Sequence, residues 1–202
     1  MQLKKLELKN IYMSSNCYLL IKNNELVVID PGFPDEKLFN YIKDNNLKLN
    51  KIILTHGHYD HWTGLEELLK RYPNTKVYAS TLDDYWFKNN PFTIYFPKID
   101  YDLKSLKYLE ILDESFEVIK TPGHSKGSIT LYNKKDNYII SGDVLFYGSI
   151  GRTDLYGGNF DILKDSIYKL YEILNDDTIV YSGHGNETKI GFEKKHNPFV
   201  RI

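Results

Sequence analysis

The 202-residue chain has one cysteine, Cys17, so it has no intrachain disulfide. The fold must rest on a packed core, and the composition is compatible with a reducing compartment. Hydrophobic residues make up 42% of the chain, which is enough to build that core. No apolar run approaches the roughly 20 residues that span a bilayer. Met1–Asn10 alternates Leu with Lys and Glu, unlike the continuous apolar stretch of a signal peptide, and reads as an edge strand. A cytoplasmic protein without a membrane partner is expected. An excess of one charge is missing too: 26 Lys and Arg face 27 Asp and Glu, for a net −1. That excludes a global basic field for nucleic acid. No linker, low-complexity segment or tandem repeat divides the chain, and its length suits a single domain over residues 1–202.

What is present is an alternation of short strands and helices. Cys17–Lys22 and Glu25–Asp30 are β-rich runs around Asn23-Asn24, a hairpin turn. Asp35–Asn45 has helical spacing at Leu38, Phe39 and Ile42. Lys51–Leu54 predicts a strand, Gly64–Tyr72 a helix and Lys76–Ala79 another strand. Phe116–Lys120, Ser128–Tyr132, Tyr138–Ser141 and Thr178–Tyr181 complete the strands. Phe160–Leu174 is helical, while Gly142–Gly158 and Ser182–Asn186 read as loops. The pattern predicts an α+β fold, with mixed sheets and helices packed outside.

Histidine is scarce, yet three of the six fall within Thr55-His-Gly-His-Tyr-Asp-His-Trp-Thr-Gly64. Imidazole and carboxylate suit Zn²⁺, Fe or Mn. In an extended segment His56 and His58 point to one side and can grip one ion. Asp60 and His61 lie where the chain turns toward a helix and can address a second. His124, after the turn Pro122-Gly123, would complete a three-histidine set for the first ion. Asp143, after a strand and Gly142, can bridge two ions through its two oxygens. His184, in Ser182-Gly-His-Gly185, can finish the second shell. His196 reads as a surface or packing residue.

Other residues have both a functional and a plain reading. Arg152 either grips a substrate carboxylate or braces its loop through Asp154. The aromatic stretch Tyr85, Trp86, Phe87, Phe92, Tyr95 and Phe96 is either a substrate wall or ordinary packing. Tyr147 fits packing better than the cleft. Trp62 should pack under the metal loop, and Cys17 should be an inert buried thiol. Thr188 is placed at the start of the last helix.

In order, HGHYDH, TPGHS, SGD and SGHG resemble the ligand motifs of the metallo-β-lactamase superfamily. The resemblance implies an αββα sandwich of two mixed β-sheets flanked by helices, with the metals at one edge. It implies His56, His58 and His124 on one ion, Asp60, His61 and His184 on the other, and Asp143 bridging. Within the superfamily the chain looks most similar to the short hydroxyacylglutathione hydrolase (glyoxalase II) branch, through GDVLFYGSIGRTDLYGG and GHGNETKIGFEKKHNPFV. It looks unlike true β-lactamases, many of which carry cysteine where Asp143 stands. Arg152 occupies the place where that branch sets a basic residue on a glutathione carboxylate. Asp154 and Asn186 stand where its full-length members, which carry an added helical domain, place glutathione-contacting tyrosines.

These features predict a metal-dependent thioesterase with two divalent ions, zinc first and Fe or Mn as alternatives. A hydroxide between the ions would attack the thioester, with Asp60 able to take a proton. The substrate would be a small thioester linked to glutathione or another acidic thiol, and the protein a monomer or weak oligomer. The rivals are a mononuclear-iron persulfide dioxygenase and a binuclear hydrolase of another ester, a lactone or a phosphodiester.

Overall fold

Residues 1–89 and 98–202 are described by the computed structural model. β1 (Gln2–Lys9), β2 (Ser14–Lys22) and β3 (Glu25–Ile29) form an antiparallel meander. Helix α1 (Glu36–Asp44) leads to β4 (Lys48–Ile53), and α2 (Leu65–Arg71) leads to β5 (Lys76–Ala79). The short helix α3 (Asp84–Lys88) precedes β6 (Tyr101–Asp102). From β3 onward the neighbours are parallel, giving a first sheet in the order β1-β2-β3-β4-β5-β6.

A second sheet is built from β7 (Tyr108–Ile111), β8 (Glu114–Lys120), β9 (Ile129–Asn133) and β10 (Tyr138–Gly142). A small ribbon, β11 (Leu145–Phe146) and β12 (Ser149–Ile150), then leads to α4 (Phe160–Ile173). β13 (Ile179–Ser182) returns parallel to β10, and β14 (Thr188–Lys189) pairs on its far side before α5 (Ile190–His196). The order is β14-β13-β10-β9-β8-β7.

Side-chain alternation along the strands sorts the apolar residues into layers. In β2 and β3, Tyr18, Leu20, Val27 and Ile29 face the second sheet and meet Phe116, Val118, Leu131 and Ile140. Their neighbours Cys17, Leu19, Leu26 and Val28 face outward onto Leu38, Phe39 and Ile42 of α1 and Leu65 and Leu68 of α2. On the outer face of the second sheet, Ile119, Ile139 and Val180 pack on Leu163, Ile167 and Leu170 of α4. Three apolar clusters between four layers make the αββα sandwich. Burial on both faces explains why these strands read as continuous apolar runs.

The hairpin turn at Asn23-Asn24 forms with both residues at positive φ, 51° and 64°, which Asn tolerates better than most residues. β1 lies at a sheet edge as its pattern predicts. Three differences stand out. Thr188 belongs to β14, and the last helix begins at Ile190. The loop Gly142–Gly158 contains the β11–β12 ribbon, whose two-residue strands are too short to leave a periodic pattern. The hairpin β7–β8 turns at Leu112-Asp113, both at positive φ, without the Gly or Asn that would announce it. Among the described residues no helix is long and apolar enough to cross a membrane.

Candidate metal centre

Four strand ends converge at one edge of the sandwich. β4 runs into the segment carrying His56, His58, Asp60 and His61, which turns through a single 3₁₀ turn at Tyr59–His61 before α2. β8 leads to His124, β10 to Asp143 and β13 to His184. The two sheets are tied beside the site, where Ile129 N donates to Thr55 O at 3.0 Å and Asn16 N to Gly183 O at 2.7 Å. Tyr18 Oη donates to Ser182 O at 2.6 Å. β10 shifts register between Ile140 and Gly142, and Gly142 takes φ +53°. That kink ends regular pairing and aims Asp143 at the histidines.

All seven residues singled out in the sequence come together in two groups. In the first, His58 Nδ1 lies 2.7 Å from His124 Nε2, which lies 3.2 Å from His56 Nε2. In the second, His184 Nε2 is 3.2 Å from Asp60 Oδ2 and 3.4 Å from His61 Nε2. Asp143 stands between them. Its Oδ1 is 3.3 Å from His61 Nε2, and its Oδ2 is 3.3 Å from His184 Nε2 and 3.5 Å from His124 Nε2.

Four of the five imidazoles are oriented through their other nitrogen, as metal-binding histidines usually are, while the buried His58 Nε2 makes no hydrogen bond among the described residues. His61 Nδ1 meets Asp30 Oδ2 at 2.9 Å, His124 Nδ1 meets Arg152 O at 2.7 Å and His184 Nδ1 meets Ser14 O at 2.8 Å. His56 Nδ1 faces Thr55 Oγ1 at 3.1 Å, and that hydroxyl donates to Asp30 at 2.6 Å. Asp30 thus steadies ligands of both groups. In the sequence it is only the last residue of the run Glu25–Asp30, and its buried role comes from the pairing of β3 with β4. Trp62 is fully buried and donates to Gly57 O at 2.8 Å, so it does support the ligand loop. Cys17 is buried, and burial pushes its thiol well up from the ordinary value.

The electrostatics differ between the groups. Burial, then the charge of neighbouring histidines, lowers His56 well below its ordinary value and His58 to about 3. Both therefore offer lone pairs at neutral pH. For His184, burial works in the same direction, but hydrogen bonds to Asp143 and Asp60 outweigh it and lift the imidazole to about 10. Burial also opposes ionisation of Asp60 and Asp143, yet His61 and His184 hold both carboxyls below their usual range, Asp143 furthest. Two further observations fit a cation here. Buried Asp143 Oδ1 makes no hydrogen bond among the described residues. A Cβ on Gly183 would collide with that same oxygen and come within 2.7 Å of His61 Cε1. The His and Asp clusters fit a dinuclear metal site.

A cleft of about 380 Å³ opens over these residues, walled by Met13, Tyr59, Trp86, Phe146, Ile150 and Leu155. Trp86 stands edge-on to His58 with 4.5 Å between ring centroids, while Phe87 is buried in the core. The aromatic stretch is therefore divided between wall and core, and Phe92, Tyr95 and Phe96 lie outside the described residues. Arg152 lines the cleft and pairs with Asp154 through two bonds of 2.7 Å. Tyr147 stacks on Phe192, away from the cleft lining, and His196 is exposed beside the same ring. Sequence reading missed the brace beneath the β11–β12 ribbon. Fully buried Glu193 accepts from Gly148 N at 3.1 Å, Thr188 Oγ1 at 2.6 Å and Asn197 Nδ2 at 2.7 Å. The tail motif thus holds up a wall of the cleft.

Comparison with known proteins agrees with this geometry. The sequence profile of the metallo-beta-lactamase superfamily matches residues 12–184. A probable metallo-hydrolase of Bacillus subtilis is 36% identical over 197 residues, covering 93% of each chain. A hydroxyacylglutathione hydrolase of Haemophilus influenzae is 35% identical over 196 residues, covering 92% of each. Among solved structures, the B3 metallo-beta-lactamase BLEG-1 superposes with a TM-score of 0.88 at 37% identity, covering 98% of this chain and 99% of that one. A di-iron-bound form of TTHA1623 gives 0.86 at 30% identity, with 98% and 100% covered. With its sandwich, its order of ligand motifs and these relatives in agreement, the chain belongs to the metallo-beta-lactamase superfamily of metal-dependent hydrolases.

Proposed function

We propose that the protein is a binuclear thioester hydrolase of the hydroxyacylglutathione hydrolase type. The observation that carries the binuclear reading is the Asp143 carboxylate, set within 3.5 Å of imidazoles from both groups. His56 Nε2, His58 Nδ1 and His124 Nε2 would hold one ion, and Asp60, His61 and His184 the other, with Asp143 shared. When bound, the pair supplies Lewis acidity and a water acidic enough to attack at neutral pH. Zinc suits this donor set, and iron or manganese would also be accepted.

The chain's own residues then do the rest. Asp60 lines the cleft and is held ionised, so it can accept a proton from the attacking water. Trp86, Phe146 and Leu155 offer an apolar wall to an acyl group and keep bulk water out. Arg152 already holds a carboxylate in a two-bonded grip. Its pair with Asp154 is exposed on both sides, so an acidic substrate can displace Asp154 at little cost. The relative from Haemophilus influenzae supports a glutathione thioester as that substrate. A cytoplasmic enzyme without a nucleic-acid or membrane partner fits this chemistry.

A second reading, hydrolysis of a β-lactam, is favoured by the likeness to BLEG-1 and runs against the expectation from Asp143. One experiment separates them. Metal-analysed protein is given S-lactoylglutathione and, separately, a chromogenic cephalosporin. Loss of thioester absorbance that vanishes in Asp143→Asn, with about two ions per chain, supports the thioesterase. Turnover of the cephalosporin alone would replace it. One iron per chain, with oxygen uptake on glutathione persulfide, would move the protein to the dioxygenases.

A further inference from the structure

Asp83 is fully buried at the end of a short 3₁₀ turn, directly before α3. No ion pair to it forms among the described residues. Instead its carboxylate collects three donors from two separate loops. Oδ2 accepts from Gly57 N at 2.8 Å and from Ser125 Oγ at 2.6 Å. Oδ1 accepts from Gly127 N at 2.7 Å. Gly57 sits between His56 and His58, and Ser125 and Gly127 directly follow His124. The carboxylate is packed tightly into this position. A Cβ on Gly57 would come within 2.7 Å of Asp83 Cβ, and one on Gly127 within 2.7 Å of its carboxylate carbon.

These contacts are asymmetric. Of the donors to its carboxylate, Gly57 and Ser125 are chain neighbours of first-group histidines and Gly127 lies three residues past His124, while none is a chain neighbour of Asp60, His61 or His184. We infer that Asp83 is a positioning residue dedicated to the first metal group, clamping the loops of its three histidines together across the two sheets. Its place at the head of α3 also ties that group to Trp86, whose ring faces His58. The inference shares with the proposed function only the premise that His56, His58 and His124 take an ion.

The test is a set of Zn²⁺ titrations of metal-stripped protein against a chromophoric chelator. Asp83→Asn keeps the side-chain shape but replaces one acceptor oxygen with a donor. It is introduced into a His184→Ala background, which keeps the first group, and into a His58→Ala background, which keeps the second. In the first background it should weaken Zn²⁺ by 10- to 100-fold, the usual range for lost outer-shell partners. In the second it should change affinity by no more than about twofold. Equal weakening in both backgrounds, or none in the first, would overturn the inference. If Asp83→Asn does not fold, as read by thermal melting, Ser125→Ala removes one bond only. It should give a smaller loss with the same selectivity, and a non-selective loss would sink the idea. Absence of any Zn²⁺ in the His58→Ala protein would count against two ions, while the His184→Ala background would still decide the role of Asp83.

Discussion

The two metal groups lie within hydrogen-bonding distance of a shared carboxylate, yet they are built on opposite principles. The first is three buried imidazoles, with His56 and His58 driven toward neutrality by their surroundings. The second mixes Asp60 with His61 and His184, and against burial the shared Asp143 together with Asp60 raises both histidines. It is also more open, with the His184 side chain 33% exposed. One group therefore presents lone pairs in a rigid cradle. The other presents Asp60 and the more exposed His184 to the cleft. This division suits a centre in which one ion is held firmly and the other meets substrate.

The largest effect should follow from removing what the groups share. Asp143→Ala should weaken both ions and lower kcat/KM for S-lactoylglutathione by at least about 1000-fold. Metal analysis after dialysis, beside the rate, checks this. Two tightly held ions with full activity would break the comparison. His184→Ala should be more selective, leaving about one ion per chain. A variant that loses both would show that the groups are not separable.

A smaller change is expected at the rim. Arg152→Ala should raise KM for an acidic thioester roughly tenfold, the scale of a lost hydrogen bond to a charged group. Its kcat, and its KM for a thioester lacking a carboxylate, should stay nearly constant. A fall in kcat with unchanged KM would assign Arg152 to loop bracing.

The smallest effect concerns stability near Asp83. Burial disfavours ionisation of Asp102, but hydrogen bonds from the Thr81 hydroxyl and from the N–H groups of Lys104 and Thr81 outweigh it and hold the carboxyl at about 2. A lowered native pKa contributes stability that is complete above the ordinary value of 3.8 and lost as pH falls through about 2. The Tm gap between wild type and Asp102→Asn should therefore be constant above pH 4 and close between about pH 4 and 2. A gap independent of pH would mean the asparagine fails for steric reasons. The same melts can carry a thiol reagent, which should leave Cys17 unmodified until unfolding.

Much of this was legible because the ligands cluster locally. His56, His58, Asp60 and His61 lie on one strand end, and alternation alone separates His56 and His58 as a pair. The remaining ligands follow strands that their apolar runs reveal. The supporting residues were not legible. Asp30 resembles any carboxylate ending a strand, and Asp83 resembles any carboxylate opening a helix. Their partners lie 25 to 44 positions away, on neighbouring strands and in the opposite sheet. Glu193 was hidden in a charged tail, where only its full burial shows that it faces Gly148.

By itself, then, the sequence determined the α+β pattern of strands and helices and put forward the donor set. Both follow from periodicity and from which side chains bind metals, and neither needs long-range information. The tertiary structure decided which imidazole nitrogen each donor offers and which buried partners orient it. It also decided that Trp86 faces the site and Tyr147 does not. Those properties depend on burial and on angles between elements far apart in the chain. They are settled only when two sheets close on one another and water leaves the space between them.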